Sequence, residues 1–404
     1  MTAQSTRNTF EAKSSRTRRR LLLSCAMGAA VAGMMSGRAS AQSVSGGAFQ
    51  GTPTIAGGQA TIARTPTVDT ITVSSPSAII NWTTNDTATG GGAINFLPQG
   101  NTGIFQNDGA ATANFSVLNR IIPTDPNRPV AFNGAVISRL RDSAGNVTGP
   151  GGTVAFYSPG GILIGSTATF DVGSLLLTAL DPVNFATAGA GGTFQLRGAA
   201  GSQAAVVIQQ GAQLNALAQN SYIAVAAPRI QQDGQVRVNG SAAYVAAESV
   251  DLTINNGLFD INVLTGTGDA NGIVHNGSTG GPASTGGTDN HRIYMVAVPK
   301  NQVLTALLGG SAGFDAASNV SVENGAIILS AGYGIDETAT GPVFTSPQQN
   351  ASFNINPGTY SSDIQGFATA DFFAAPTNGS MSFAGDISLV GGNRAHIAGR
   401  NGNT

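Results

Sequence analysis

The chain has 404 residues, of which 10% are charged and 55 are glycine. A soluble helical domain would carry far more lysine and glutamate, whereas lysine occurs here only at Lys13 and Lys300. Residues 1–41 contain seven of the 19 basic residues and one of the 21 acidic residues, so the remaining chain has 12 basic and 20 acidic residues and a net charge of −8. That balance argues against a nucleic-acid partner, which would require a basic face.

The first 41 residues have the parts of an export signal. Four arginines lie between residues 16 and 20, an apolar run extends from Leu21 to Met35, and Ala39-Ser40-Ala41 provides a small-residue cleavage site. The run is too short and too rich in glycine and alanine to favour a membrane-spanning helix. We therefore predict a signal peptide over residues 1–41, with a basic run that fits either the general or the twin-arginine export route.

The only cysteine, Cys25, lies inside the predicted signal peptide. The exported chain would therefore contain no disulfide and no cysteine-based metal site. We expect its stability to come from packing and hydrogen bonding.

Residues 42 to about 75 alternate valine, isoleucine and threonine with small polar residues, as in Thr67–Val73. This pattern predicts short strands. Because the following chain has the pattern of a solenoid, described below, we expect these strands to cap the open edge of its first coil. We expect Trp82, the only tryptophan, to pack in the cap or core and not to stack on a ligand.

The pattern loosens between Ile122 and Gly151, where Pro123, Pro126 and Pro129 are closely spaced. We predict a loop or a small element outside the solenoid, with one short apolar strand.

Short apolar runs alternate with glycine, proline and serine corners between Gly151 and Asp181. None is long enough for a helix, and each has the β-branched or aromatic content of a buried strand. Such spacing is typical of a solenoid, in which stacked coils bury the faces that one coil cannot bury alone. We therefore predict an all-β fold, a right-handed parallel β-helix with an amino-terminal cap. The four predicted strands are Val154–Tyr157, Ile162–Ile164, Phe170–Val172 and Leu175–Leu180.

Similar segments recur later in the chain. Ser221–Ile230 is similar to Ala243–Val250, which would place Tyr222 and Tyr244 one coil apart. Ile293–Pro299 and Gly325–Ala331 are predicted to be later copies of the same strand.

The most regular coils are predicted between Gly191 and Val263. Their successive walls would be Ala204–Ile208, Gln235–Val238 and Asp251–Ile254. Outward threonine, serine, glutamine and asparagine residues would stack in ladders without charge repulsion between coils. We predict a flexible excursion from Thr265 to Asn290, where glycine, serine and threonine interrupt the pattern.

Several blocks between Ile79 and Asp181 resemble, in order, the amino-terminal secretion domain of filamentous haemagglutinin-like proteins, the exported passengers of two-partner secretion. Ile79–Trp82 resembles the family's IINW element, Ile94–Phe96 the strand that follows it, and Val117–Ile121 the VLNRV block. Gly152–Ile162 lies where the family has G-x-V-x-x-x-N-P-N-G-I, and Asp171–Leu175 resembles its NVGGL.

The resemblance has two departures. Ser158 and Gly160 replace the two asparagines of the family's Asn-Pro-Asn-Gly turn. Proline followed by glycine still makes a turn, because proline fixes φ and glycine accepts positive φ. A second family motif, Asn-Pro-Asn-Leu, has no counterpart in the chain.

The resemblance implies a secretion domain at residues 42–190 followed by β-helix repeats at residues 191–404. The chain reaches Thr404 without an obvious cap, so we expect a shortened member of a family with generally longer passengers. An outer-membrane β-barrel transporter would be the export partner. The residues implied to have recognition or structural roles are Asn81, Trp82, Asn119, Arg120, Ser158, Pro159, Gly160, Gly161 and Ile162.

The resemblance also implies an end function and a location. We expect adhesion or biofilm formation, with a host or cell-surface carbohydrate or protein as the ligand. The protein would be secreted or held at the surface of a Gram-negative bacterium.

Three alternatives remain open at this point: an autotransporter passenger without its barrel, a structural surface protein, and a carbohydrate-active β-helix enzyme. The enzyme would need a cluster of carboxylates in one groove, drawn from Asp171, Asp181, Asp251 and Asp260. Aspartates at corners more often bond the backbone, so we predict no enzyme. The three histidines are far apart and lack metal-binding spacing, and we predict no cofactor or metal.

Overall fold

In the computed structural model, the described residues are 46–398 except 110–113, 189–191, 256, 287–289, 318–324 and 375–378. The predicted signal peptide and Cys25 lie outside these residues. The described chain forms 34 strands and one short helix. None of its helical residues forms a helix long and apolar enough to cross a membrane.

The elements of the amino-terminal half are, in chain order, β1 (Gly51–Gly57), β2 (Ala60–Arg64), β3 (Val68–Val73), β4 (Ser77–Thr84), β5 (Ile94–Leu97), β6 (Thr102–Asn107), β7 (Ser116–Ile122), β8 (Val130–Phe132), β9 (Ala135–Arg141), β10 (Val147–Pro150), β11 (Thr153–Tyr157), β12 (Gly161–Ile164), β13 (Thr169–Asp171), β14 (Ser174–Thr178), β15 (Asp181–Pro182), α1 (Phe185–Ala188) and β16 (Thr193–Arg197).

The strands of the carboxy-terminal half are β17 (Ala205–Ile208), β18 (Gln213–Ala227), β19 (Arg229–Gln232), β20 (Gln235–Asn255), β21 (Leu258–Gly266), β22 (Ile273–His275), β23 (Ser278–Gly281), β24 (Arg292–Ala297), β25 (Leu304–Phe314), β26 (Ala326–Ala331), β27 (Gly334–Thr338), β28 (Gly341–Thr345), β29 (Ala351–Tyr360), β30 (Asp363–Ala368), β31 (Asp371–Ala374), β32 (Met381–Phe383), β33 (Ile387–Gly391) and β34 (Arg394–Ile397).

The strands form a solenoid with three walls, each a parallel ladder. The first wall consists of β4, β7, β11, β14, the end of β18, the middle of β20, β24, β26, β30 and β33. The second wall consists of β5, β8, β12, β17, β19, β22, the start of β25, the start of β29, β31 and β34. The third wall consists of β3, β6, β9, β13, the start of β18, the start of β20, β23, the end of β25, the end of β29 and β32.

This arrangement confirms the predicted all-β parallel solenoid with an amino-terminal cap. The four strands predicted between Val154 and Leu180 are β11, β12, β13 and β14, with small differences at their ends. The copies predicted at Ile293–Pro299 and Gly325–Ala331 are β24 and β26 of the first wall.

The cap consists of β1, which pairs antiparallel with β4, and β2, which pairs antiparallel with β3. Arg64 of β2 and Asp69 of β3 hold these two strands to the segment at Phe49, which precedes β1. The Arg64 guanidinium donates to the Asp69 carboxylate at 3.1 Å and to the carbonyl oxygen of Phe49 at 2.6 Å. Asp69 is fully buried and also accepts from the Phe49 backbone N–H, so this ion pair is extensively hydrogen-bonded.

The interior of the solenoid is one continuous apolar core that extends from Ala48 to Ala374. Its amino-terminal part is aromatic. The centroids of rings in contact are 4.8 to 6.3 Å apart, a range typical of favourable ring pairs. Farther along, aliphatic side chains fill most of the same space, and aromatic residues return at Phe314, Phe353 and Phe372. The aromatic residues of the amino-terminal part are Phe49, Trp82, Phe96, Phe105, Phe132, Phe156 and Phe170.

A second apolar core lies outside the first wall, because an antiparallel sheet covers the wall's outer face. This outer sheet consists of β15, β16, the end of β20, β21, β27 and β28. Phe194 and Ile261 of the outer sheet pack in one cluster with Leu176 and Ala224 of the wall. The middle of the first wall is therefore buried on both faces, which explains its near-continuous apolar sequence.

Tyr222 and Tyr244 lie one coil apart, as predicted, on the paired strands β18 and β20, but they are not opposite each other. In the structure Tyr222 pairs with Ser241, and Val225 pairs with Tyr244. The difference is three residues, an odd number, so the two tyrosines point to opposite faces of the wall. Tyr244 lies in the interior core and Tyr222 in the outer one.

Three further predictions are corrected. Asp251–Ile254, predicted as a wall, belongs to the outer sheet, as part of β20 paired with β16 and β21. The predicted excursion from Thr265 to Asn290 contains β22 and β23, which continue the second and third walls. The segment from Ile122 to Gly151 contains the wall strands β8 and β9, and only the β9–β10 hairpin leaves the solenoid.

The predicted uncharged ladder is present on the outer face of the third wall. Consecutive strands place serine, threonine or glutamine side chains opposite one another in one file, and no side chain in this file is charged. The file contains Thr169, Gln213, Gln235, Ser278 and Ser311.

Glycine at position 280 is required by a close approach of two strands. A Cβ atom on Gly280 would lie 2.0 Å from the Gly313 carbonyl oxygen, whereas a Cβ on Gly92 would have no neighbour within 4 Å. We expect Gly280→Ala to lower the free energy of unfolding by about 1–3 kcal/mol because the strands must shift. Gly92→Ala is the control and should change it by less than about 0.5 kcal/mol. Urea denaturation measures both, and equal effects would contradict the close approach.

Candidate functional site

The candidate site residues predicted from the resemblance lie on β4 and β7 of the first wall, on the corner after β11, and at the start of β12 in the second wall. Asn81 of β4 pairs with Arg120 of β7, and Arg120 pairs with Tyr157 of β11. The corner follows β11 at Ser158. Blocks that are distant in the sequence are thus stacked in register.

Two of these residues, Trp82 and Asn119, point into the core. The Trp82 indole N–H donates to Asn119 Oδ1 at 3.0 Å, and Asn119 Nδ2 donates to the Ala155 carbonyl oxygen at 3.2 Å. Trp82 is 1% exposed and its ring packs 5.1 Å from that of Phe49. The prediction that Trp82 packs in the core is therefore confirmed, and no ligand reaches either side chain.

Arg120 is on the opposite, outer face of the first wall. Its guanidinium forms an ion pair with Asp181 of β15 and lies 5.8 Å from the ring centre of Tyr157. The side chains of Arg120 and Asp181 remain 33% and 23% exposed. Burial raises the pKa of Tyr157, the Asp181 carboxylate raises it further, and the Arg120 charge opposes both.

The corner Ser158–Gly161 is a tight turn. The Gly161 N–H donates to the Ser158 carbonyl oxygen at 3.1 Å, and Gly161 has a φ of 101°, which only glycine adopts readily. Ser158 is buried, whereas Pro159 and Gly160 are partly exposed at the tip. The asparagine-free turn therefore keeps its geometry through Pro159 and Gly161.

Gly160 and Ile162 fix the turn to the neighbouring coils. A Cβ on Gly160 would lie 2.2 Å from the carbonyl oxygen of Arg128. Ile162 is fully buried and pairs with Val130 on one side and Val206 on the other. These two residues have structural roles.

Arg128, which the sequence analysis did not single out, holds the neighbouring corner loops together. Its guanidinium donates to both carboxylate oxygens of Asp86, at 3.0 and 2.9 Å, and to the carbonyl oxygens of Ala88 and Gly92. These hydrogen bonds lower the pKa of Asp86. The two residues are 42 positions apart, so no local pattern could have identified the pair.

The partly exposed residues of this region, together with Tyr157, form one surface at the corner between the first and second walls. We call it the corner surface. Arg120 and Asp181 supply its charges. The Tyr157 ring is 8% exposed and lies under the Arg120 guanidinium, and the Asn81 side chain is partly exposed with its amide oxygen buried. The corner surface consists of Asn81, Arg120, Tyr157, Pro159 and Asp181.

The four carboxylates that an enzyme would need do not meet in one groove. Asp171 pairs with Arg139, Asp181 with Arg120, and Asp251 with Arg197. Asp260 accepts a hydrogen bond from the Glu337 backbone N–H at 2.8 Å. Among the described residues, no three histidine, cysteine, aspartate or glutamate side chains are close enough to hold a metal ion.

No protein-family model matches the chain, and no curated protein matches it. The fold is similar to the crystal structure of the filamentous hemagglutinin secretion domain, with 15% identity over 85% of this chain and 99% of that chain, at a TM-score of 0.43. It is also similar to the HMW1 secretion domain from Haemophilus influenzae, with 15% identity over 85% of this chain and 84% of that chain, at a TM-score of 0.46. At this identity the likeness concerns the fold alone.

Replacing Asn119 tests the hydrogen bonds inside the first coils. Asn119→Leu should lower the free energy of unfolding by about 1–3 kcal/mol, because the Trp82 N–H and the Ala155 carbonyl group lose their partner while remaining buried. Asn95→Leu, at an exposed position of β5, is the control and should change it by less than about 0.5 kcal/mol. Urea denaturation followed by tryptophan fluorescence measures both, and an unaltered midpoint for Asn119→Leu would refute the role.

Proposed function

We propose that this chain is an exported passenger of two-partner secretion whose first coils are recognised by an outer-membrane β-barrel transporter. One observation carries the proposal. The blocks that resemble the secretion family, Ile79–Trp82, Val117–Ile121 and Gly152–Ile162, occupy adjacent strands and one corner of the solenoid. Their partly exposed side chains, together with Asp181, form the corner surface, which is where we place the contact with the transporter.

The composition supports an export route in which the chain crosses the membranes unfolded. No cysteine follows Cys25, so no disulfide forms in the periplasm to block passage. Each inward valine or isoleucine contributes roughly 1.5–3 kcal/mol when buried. Coil-by-coil folding outside the cell would therefore oppose return of the chain.

Adhesion or biofilm formation is the end function that we propose for the exported protein. This part of the proposal is supported by the sequence resemblance and not by any ligand-binding residue. A carbohydrate or protein on a host or bacterial surface would be the ligand. We place the mature protein in the medium or on the surface of a Gram-negative cell.

Transporter dependence is the direct test of the export proposal. The full chain with its native signal segment would be produced with and without a candidate outer-membrane transporter, and detected in the medium and on the cell surface. We expect it to appear outside the cell only when the transporter is present. Export without a transporter, or periplasmic retention with one, would refute two-partner secretion and favour an autotransporter or a structural surface protein.

The corner surface is tested by Arg120→Gln. We expect about tenfold lower transporter-dependent export, because one charge-assisted contact of about 1.4 kcal/mol is lost. Arg237→Gln is the matched control, since Arg237 is exposed on the third wall, away from the corner surface. Equal export of both variants would place transporter recognition elsewhere. Thermal unfolding of the purified variants distinguishes lost recognition from lost folding.

A further inference from the structure

A cluster of polar side chains interrupts the apolar interior in the middle of the solenoid. Gln232, Tyr244, His275 and Thr279 are each at most 2% exposed. They come from all three walls: Tyr244 from the first, Gln232 and His275 from the second, and Thr279 from the third. We call them the lumen cluster.

The hydrogen bonds of the lumen cluster are satisfied by a neutral His275. Its Nδ1 lies 2.9 Å from the Gly309 carbonyl oxygen, which can only accept, so Nδ1 carries a proton. Its Nε2 lies 2.9 Å from Thr279 Oγ1, which also lies 2.7 Å from the Tyr244 hydroxyl. With a proton on Nδ1 alone, Tyr244 donates to Thr279 and Thr279 donates to Nε2. This arrangement requires a neutral imidazole.

No charged group inside the solenoid compensates a proton added to His275. The strands β22, β23 and β25 contain no acidic or basic residue besides His275. Arg229 and Arg237, on β19 and β20, are exposed on outer faces. Tyr244, with a pKa raised by burial, stays neutral.

Among the charged groups near the coil, only Asp233 favours a proton on His275, and its effect is smaller than that of burial. Asp233 lies at the corner, where its carboxylate accepts from Gln231 at 2.6 Å and Asn276 at 3.0 Å. Glu248 and Asp251, farther along β20, pair with Lys300 and Arg197. The outward-facing neighbours on β24 are Arg292 and Tyr294.

Burial lowers the pKa of His275 from 6.5 to about 4, although the hydrogen bond to Gly309 and the Asp233 charge oppose the shift in part. A proton therefore binds more weakly to the closed coil than to an opened one, where the pKa is near its ordinary value. The stability of the closed coil is complete above pH 6.5, decreases as the pH falls towards 4, and does not change further below 4.

The coil that contains His275 is also poorly packed. Its third-wall strand, β23, is Ser278-Thr-Gly-Gly281 and contributes no aliphatic side chain to the core. The strands on either side contribute Val236 and Val238 from β20, and Ala312 and Phe314 from β25. A coil with few buried apolar contacts opens at a lower free energy than its neighbours.

We propose that the lumen cluster is an acid-sensitive opening point of the solenoid. Protonation of His275 turns Nε2 into a donor, so Thr279 can no longer donate to it, the hydroxyls of Thr279 and Tyr244 must reorient, and a charge is placed in the apolar interior. The coil formed by β22 and β23 opens together with the adjoining part of β25. The aromatic coils at the amino-terminal end stay closed.

Hydrogen exchange on the folded chain tests this inference. Peptides covering residues 272–281 and 304–314 would be compared with a reference peptide covering residues 153–178, at pH 7 and pH 4.5, after correction for intrinsic exchange rates. With a pKa of 6.5 for His275 in the opened coil and about 4 in the closed coil, the opening constant is roughly 50-fold larger at pH 4.5 than at pH 7. We expect that increase in the coil of β22 and β23 and not in the reference peptide.

Two variants identify the residue responsible. His275→Gln cannot titrate and should abolish the pH dependence of exchange in this coil. His291→Gln, which replaces the other buried histidine nearby, should leave it intact. Equal protection of the wild-type coil at both pH values, or full pH dependence in His275→Gln, would overturn the inference.

A measurement on the wild-type chain covers the case in which His275→Gln does not fold. The ring resonances of His275 would be titrated by NMR in the folded protein. A pKa near 4 supports the opening point, and a pKa at or above 6.5 overturns it.

Discussion

The structure depends on the in-register parallel pairing of each coil with the one before it. Because side chains alternate between faces, the register decides which residues enter the interior and which face outward. In the first wall this places Phe156, Leu177 and Val225 in a single inward file. The same register brings Asn81, Arg120 and Tyr157 side by side on the outer face. The apolar core and the corner surface therefore arise from one set of backbone hydrogen bonds.

The interior changes character along the axis. The first coils are filled by aromatic rings and closed by the cap, whereas the coil of β22 and β23 contains the lumen cluster and two glycines of β23. Large rings bury more apolar surface than alanine or glycine, so the aromatic coils are better filled than the coil of β22 and β23. The corner surface lies on these well-packed coils, and its shape is consequently well defined.

Local pattern was sufficient to predict the fold class and the strands between Val154 and Leu180, because β-branched and aromatic runs between glycine corners have few other solutions. The register in which neighbouring strands pair was harder to predict from the sequence. Tyr222 and Tyr244 have similar neighbours in sequence but face opposite sides of the wall. The strand Ser278–Gly281 was predicted as part of a flexible excursion, since the close contact that requires glycine exists only between stacked coils.

The candidate site was predictable to a similar extent. The resemblance identified Asn81, Trp82, Asn119 and Arg120, but only the structure separates the buried pair from the exposed one. The pairing of Arg128 with Asp86, and of Arg120 with Asp181, joins residues 42 and 61 positions apart. Long-range ion pairs of this kind leave no periodic trace in a sequence.

The cap gives the molecule a direction. β1 and β2 run antiparallel to the strands they cover, so the amino-terminal edges of the first and third walls offer no parallel partner for another coil. Parallel stacking of a further β-structure on these two walls is thereby confined to the opposite end. The aromatic coils and the corner surface would keep the same surroundings if coils were added to the carboxy-terminal end of the solenoid.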